Sequence, residues 1–146
     1  MTNVVIRRMK ESDEQGWLTL WRGYNAFYER AVEDRTTARV WGDLHGQSGQ
    51  PYGFVADKKG MLVGFSHYYF LRSTSDWGPR CYMQDLFCAL SVRGEGVGHA
   101  LIEAVYAEAD KHGASQTYWL TTSSNKTARK LYDRVAQQTP FVKYKR

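Results

Sequence analysis

The chain has 146 residues, 42% hydrophobic and 24% charged, which suits a single globular domain, 1–146, with a core of its own. No apolar stretch approaches the ~18 residues of a membrane span. The opening Met1–Arg8 lacks a signal-peptide core, so a cytoplasmic protein that does not contact membranes is expected. Lys and Arg outnumber Asp and Glu by 20 to 15, a net charge of +5 spread along the chain; it favours an anionic ligand and argues only weakly for nucleic acid, which needs clustered cations.

Val4 to Arg8 alternates as a first strand. Glu11-Ser12-Asp13 offers caps for a helix whose apolar stripe is Trp17, Leu18, Leu20, Trp21 and Tyr24. A second helix is expected from Thr36 to about Leu44, ended by Gly46, Gly49 and Pro51. Tyr52–Ala56 and Met61–Leu71 read as strands joined by a hairpin turn, Asp57-Lys58-Lys59-Gly60, with Gly60 suited to positive φ. The apolar run Cys81–Leu90 reads as a buried strand. Val97–His112 reads as a helix burying Val97, Leu101, Ile102, Val105 and Ala109, with Gly113 as its stop. Gln116–Thr121 is another strand. Ser123 or Ser124 caps a helix with Ala128, Leu131, Tyr132 and Val135 on one face, and Phe141–Lys145 reads as a final strand. Hairpins early and a crossover late make one α/β domain of mixed strand direction. Cys81 and Cys88, on one strand, stand roughly 23 Å apart, beyond the reach of about 7 Å that a disulfide needs, so both are expected as free thiols.

The richest segment is Arg93-Gly94-Glu95-Gly96-Val97-Gly98, between the buried strand and its helix. Glycines let the backbone approach an oxyanion closely, and the first helical N–H groups lack partners at the positive end of the helix dipole. Arg93 adds a full charge at the rim. A phosphorylated ligand is indicated. A dinucleotide fingerprint would need an acidic residue at the end of a second strand, and a nucleoside triphosphate loop would need Gly-Lys-Ser/Thr; this segment meets neither requirement.

With these pieces in place the chain resembles the GNAT superfamily of acetyl-coenzyme A dependent N-acetyltransferases. Arg93–Gly98 fits that family's Arg/Gln-x-x-Gly-x-Gly/Ala signature, and Asn125-Lys126-Thr127-Ala128-Arg129-Lys130-Leu131-Tyr132 fits its Asn-x-x-Ala-x-x-x-Tyr pattern one helix and one strand later. Tyr82–Phe87, Tyr118–Thr121 and Phe141–Tyr144 look most like the branch with diamine, polyamine and histone acetyltransferases. The resemblance implies the GNAT fold: an α/β (α+β) domain whose mixed, mostly antiparallel sheet is splayed between the two motif-bearing strands and flanked by about four helices. It implies acetyl-CoA as co-substrate, no metal, and transfer to a primary amine, either a small di- or polyamine-like molecule or a lysine side chain, by direct attack in a ternary complex. A coenzyme A binding or sensing module without catalysis is the alternative.

By motif position the cofactor contacts would come from Phe87, Cys88, Arg93, Gly94, Glu95, Gly96, Val97, Gly98, His99, Asn125, Ala128 and Lys130. The N–H groups of Glu95 to His99 would cradle the pyrophosphate, and the strand edge at Phe87, Cys88 and Ala89 would pair with the pantetheine arm. Tyr132, with an ordinary pKa near ~10, would be general acid; its plainer role is packing beside Leu131. Gln84-Asp85 stands where related polyamine enzymes carry Glu-Asp, and Gln84 accepts no proton. Asp85 is then a base acting through water, a holder of the acceptor's cationic tail, or a buried structural group. Tyr24, Tyr28, Glu29 and Asp85 would form the acceptor wall, against a reading of packing and a solvated face that also takes in Glu33 and Asp34. Glu95 departs from the basic residue common at its position, and His99 meets phosphate or simply solvent. Trp77 and Tyr144 offer surface for a homodimer.

Overall fold

The computed structural model describes residues 3–46 and 49–146. Its elements are β1 (Val4–Arg8), α1 (Glu14–Phe27), α2 (Asp34–His45), β2 (Tyr52–Lys58), β3 (Met61–Leu71), β4 (Arg80–Cys88), α3 (Val97–Lys111), β5 (Gln116–Tyr118) and α4 (Lys126–Val135), with short 3-10 turns at Glu11–Asp13 and Leu90–Val92. The strands lie in sequence order, antiparallel from β1 to β4, and β5 joins β4 in parallel after the α3 crossover. This is the mixed, mostly antiparallel sheet with four flanking helices that the motifs implied. The β2–β3 turn puts both Lys59 (φ 52°) and Gly60 (φ 88°) in left-handed backbone, the type I′ geometry that matches strand twist.

Two cores sandwich the sheet. On one face α3 buries Val97, Leu101, Ile102, Val105 and Ala109 against Tyr68, Cys81 and Met83, and α4 covers the rim with Leu131, Tyr132 and Val135. On the other, α1 packs Trp17, Leu20, Trp21 and Tyr24 against Val55 and Phe65, with α2 outside through Val40, Trp41 and Leu44. Each of the Val, Leu, Ile, Phe and Met side chains among these contributes about 1.5–3 kcal/mol on full burial. Arg7 ties β1 to the first turn and to β2, reaching Asp13 at 2.8 Å and Asp57 at 3.1 Å.

Three expectations fail in instructive ways. Residues 141–145 form no strand; Phe141, Val142 and Tyr144 are exposed. Their alternation suits a pleat, but a strand exists only when a neighbour takes its main-chain groups. The strand expected over 116–121 stops at Tyr118 for the same reason, since pairing with β4 ends at Tyr82–Tyr118. Finally, the run expected to extend to Leu90 leaves the sheet after Cys88 and turns through the 3-10 segment. Trp77 and Tyr144 are both fully exposed. No described helix is long and apolar enough to cross a membrane.

Candidate active site

The parting of β4 and β5 makes the site. They pair only over Arg80–Tyr82 and Gln116–Tyr118, so the rest of β4 faces the gap without a partner strand. Ala89 N–H bonds the Val63 carbonyl at 2.8 Å, toward β3. Ladder alternation then turns the main-chain groups of Leu86 and Cys88 toward the gap. The edge expected at Phe87, Cys88 and Ala89 therefore belongs to Leu86 and Cys88.

β4 also carries a bulge. His67 pairs with Asp85 but Tyr68 pairs with Met83, leaving Gln84 as the extra residue. A bulge resets the in–out alternation. Cys81 and Met83 pack toward α3, whereas Asp85 and Phe87 face α1. Gln84 is exposed.

At the corner, Gly94 (φ 83°) and Gly96 (φ 82°) take the left-handed turn that starts α3. Glu95 N–H is bonded to Val92 O at 3.1 Å, so it drops out of the expected cradle. The N–H groups of Gly96, Val97, Gly98 and His99 have no acceptor among the described residues. They point out of a helix end carrying about half a positive charge. Nothing lies within 4 Å of where a Cβ would stand on Gly94 or Gly96, so the approach is open. Gly98 serves packing: a Cβ there would meet Leu131 Cδ2 at 3.2 Å and Cys88 Sγ at 3.7 Å. Glu95 pairs with Lys58 at 3.0 Å and His99 with Glu103 at 3.2 Å, which neutralises the carboxylate that departed from the motif. Arg93 lies over the rings of Phe27 (4.9 Å) and Phe87 (5.8 Å) and donates Nε–H to the Cys88 carbonyl at 3.4 Å.

A cleft of about 120 Å³ opens here. Leu86, Phe87 and Cys88 form one wall, Asn125, Ala128, Leu131 and Tyr132 the other; Arg93, Gly98 and Tyr28 close its ends. Asn125 donates to the Tyr28 hydroxyl at 3.3 Å and to Thr121 at 3.2 Å, joining the α4 motif to the end of α1. Lys130 is exposed on α4 and does not line the cleft. Tyr132 packs edge-on against Trp119 and its hydroxyl makes no hydrogen bond to the described residues. Burial, then the neighbouring Tyr28 and Cys88, push its pKa up to about 12. Burial raises the Cys88 and Cys81 thiols to about 11, and both are free.

Behind Phe87 sits a buried polar chain that sequence reading missed apart from its last two members. Trp17 Nε1–H donates to His67 Nε2 at 3.0 Å. An indole nitrogen only donates, so His67 carries its proton on Nδ1 and gives it to Asp85 Oδ2 at 2.9 Å. The Tyr24 hydroxyl donates to Asp85 Oδ1 at 2.7 Å. Burial alone pushes the Asp85 carboxyl up; the His67 hydrogen bond, with Tyr24 and Arg30, outweighs it and holds the group below its ordinary value. Asp85 is 5% exposed and does not line the cleft. Tyr24 is likewise buried, and Glu29 is exposed with a left-handed backbone, so of the expected acceptor wall only Tyr28 touches the cleft. The one signal for His67 was a polar residue inside the apolar strand β3. A larger hollow of about 270 Å³ between α1 and α2, lined by Trp17 and Trp41 among others, shares no residue with this cleft.

The match to the acetyltransferase (GNAT) family covers residues 17–136, both motifs included. The chain belongs to the GNAT family. Its relatives include the D-amino-acid N-acetyltransferase HPA3 of Saccharomyces cerevisiae, 32% identical over 98% of this chain and 90% of the relative. A thialysine N-epsilon-acetyltransferase of Sus scrofa is 34% identical over 90% of this chain and 82% of its own length. Among solved structures, AAC(6')-Iy in complex with a bisubstrate analog superposes with a TM-score of 0.83 at 21% identity, covering 99% of this chain and 98% of that one. As a GNAT protein this chain is an acetyl-CoA dependent N-acetyltransferase, which sets aside the reading as a module without catalysis. The four unpaired N–H groups at 96–99 and the open β4 edge fit the diphosphate and amide arm of coenzyme A.

Proposed function

We propose that this GNAT enzyme acetylates the primary amine of a small molecule by direct attack in a ternary complex, with Tyr132 as the proton donor. Bound acetyl-CoA supplies the acetyl group as a thioester. The N–H groups of Gly96 to His99 would hold its diphosphate, Leu86 and Cys88 its arm, and Asn125 an arm amide.

The observation that carries the reading is the Tyr132 hydroxyl: free of hydrogen bonds to described residues, lining the cleft beside Cys88, and with its pKa pushed up to about 12. Such a phenol keeps its proton at neutral pH and offers it to a leaving sulfur. Among the described residues no carboxylate or imidazole lines the cleft. Gln84 takes no proton, and both oxygens of Asp85 are engaged. Asp85 is therefore a positioning residue, holding Tyr24 of α1 against β4. The amine, with a pKa near ~10.4, loses its ammonium proton to solvent before it attacks. Its nitrogen then bonds the acetyl carbon as the carbon–sulfur bond breaks, Tyr132 protonates the sulfur, and the second proton shed by the nitrogen as the amide forms restores the Tyr132 phenol through solvent. The names of two relatives, one acting on D-amino acids and one on the ε nitrogen of thialysine, put amino groups of amino acids among the acceptors to test. Exposed Trp77 and Tyr144 support pairing with a second copy, which sedimentation at two loading concentrations would check.

The test is thiol release from acetyl-CoA with a panel of amino acids, diamines, polyamines and lysine peptides. Release above background with at least one amine is expected; none with any would overturn the reading.

A further inference from the structure

Arg30 follows a turn built to aim it. Glu29 sits in left-handed backbone (φ 53°), which suits glycine far better than glutamate. The turn is closed by Glu29 N–H to the Ala26 carbonyl at 3.1 Å and Arg30 N–H to the Asn25 carbonyl at 2.8 Å. It reverses the chain at the end of α1 and lays the Arg30 guanidinium over the rings of Trp21 (5.5 Å) and Tyr24 (5.0 Å). Nη1 is 3.8 Å from Asp85 Oδ1, close enough to be held by charge and too far to bond. The Asp85 oxygens already take Tyr24 and His67.

The result is a planar fork of donors, fixed by two rings and one carboxylate, 37% exposed, donating no hydrogen bond to any described residue. Arg30 does not itself line the cleft; the Tyr24 ring on which it lies links it to rings that do. Tyr24 contacts Tyr28 at 5.1 Å and Phe87 at 5.8 Å, and both line the cleft. The charges nearby fit no polycation. Arg93 is a cation lining the cleft; Asp85 is capped, and Glu95 is paired with Lys58. Glu29 points into solvent without a partner among the described residues.

We propose that Arg30 binds the carboxylate of the acceptor and thereby selects amino acids over di- and polyamines. The assignment rests on N-acetyl transfer at this cleft. A guanidinium fork matches a carboxylate in shape and charge, and one already half-compensated by Asp85 suits a monoanion. A site built around such a fork rejects the analogue that lacks the acid.

The experiment compares matched acceptors: lysine, lysinamide and 1,5-diaminopentane, then D- and L-alanine against ethylamine. For wild type, kcat/KM is expected to be about 10- to 100-fold higher for the acid than for its amide or decarboxylated amine. Arg30→Gln should bring that ratio toward one by raising KM for the acid, while calorimetry shows coenzyme A still bound. Arg30→Lys should restore part of it. Equal use of acid and amine by wild type, or an unchanged ratio in Arg30→Gln, overturns the proposal. If Arg30→Gln also loses coenzyme A binding, wild-type selectivity and Arg30→Lys decide instead. Failure of every amine would overturn N-acetyl transfer itself, whereas turnover indifferent to the carboxylate overturns Arg30 alone.

Discussion

Replacing Asp85 by asparagine separates a positioning carboxylate from a chemical base. The amide keeps the size but loses the charge and one acceptor. Tyr24 can still donate to the remaining oxygen. The new N–H₂ then faces His67 Nδ1–H, and His67 cannot reverse its tautomer because Trp17 already donates to Nε2. One buried donor is left unpaired, at about 1–3 kcal/mol, and the surviving bond drops from charged to neutral strength, about 1 kcal/mol more. Arg30 is more than a third exposed, so its freed charge adds little. Asp85→Asn should therefore cost about 2–4 kcal/mol, lowering Tm by about 5–12 °C for a chain of this length. The pH dependence has a definite sign. Asp85 is held below its ordinary pKa, so its contribution is complete above the unfolded value near ~3.9. It is lost as pH falls through the lower, folded value. Urea unfolding of wild type and variant should differ fully at pH 6–7, and the gap should begin to close only once acidification passes below the unfolded value. Stabilities within about 0.5 kcal/mol at pH 7, or a hundredfold loss of kcat with stability intact, would refute this reasoning and return Asp85 to the chemistry.

Tyr132→Phe should lower kcat by about 10²-fold or more with little change in coenzyme A affinity by calorimetry; equal turnover would remove Tyr132 from the acid role. With its pKa pushed up to about 12, Tyr132 stays protonated across the working range, so no alkaline loss of rate assignable to it should occur below pH 10. If, as proposed, no cleft residue takes the amine proton, kcat/KM should rise about tenfold per pH unit from 7 to 9, following free amine; a plateau beginning near pH 6–7 would reveal a base. Gly98→Ala, whose Cβ would press Leu131 at 3.2 Å, should weaken coenzyme A binding and cost about 1–2 kcal/mol of stability, measured by calorimetry and melting. Lys59→Asn gives the type I′ turn its preferred Asn-Gly pair and should raise stability by a few tenths of a kcal/mol in urea unfolding.

The fold was legible because period and punctuation agreed. Val4–Arg8 and Met61–Leu71 end where their apolar patterns end, and Gly113 (φ 66°) stops α3 as its type suggests. Motif spacing did bring one group of residues together: Phe87, Cys88, Arg93, Gly98, Asn125, Ala128 and Tyr132 all line one cleft. The surroundings of Asp85 and Tyr24 were not legible in this way. The Gln84 bulge leaves no mark in composition, yet it decides which face Asp85 takes. Nothing in Glu29 announces a left-handed turn, so the placement of Arg30 over Trp21 and Tyr24 leaves no mark in the sequence. Residues 141–145 alternate like a strand, but pairing is a property of neighbours and not of the segment.

The most direct check is a crystal structure with coenzyme A and an amino acid acceptor. The account requires the diphosphate within hydrogen-bond distance of the N–H groups of Gly96 to His99, with the sulfur beside the Tyr132 hydroxyl. Diphosphate seated elsewhere, such as the hollow between α1 and α2, or a sulfur remote from Tyr132, would contradict it.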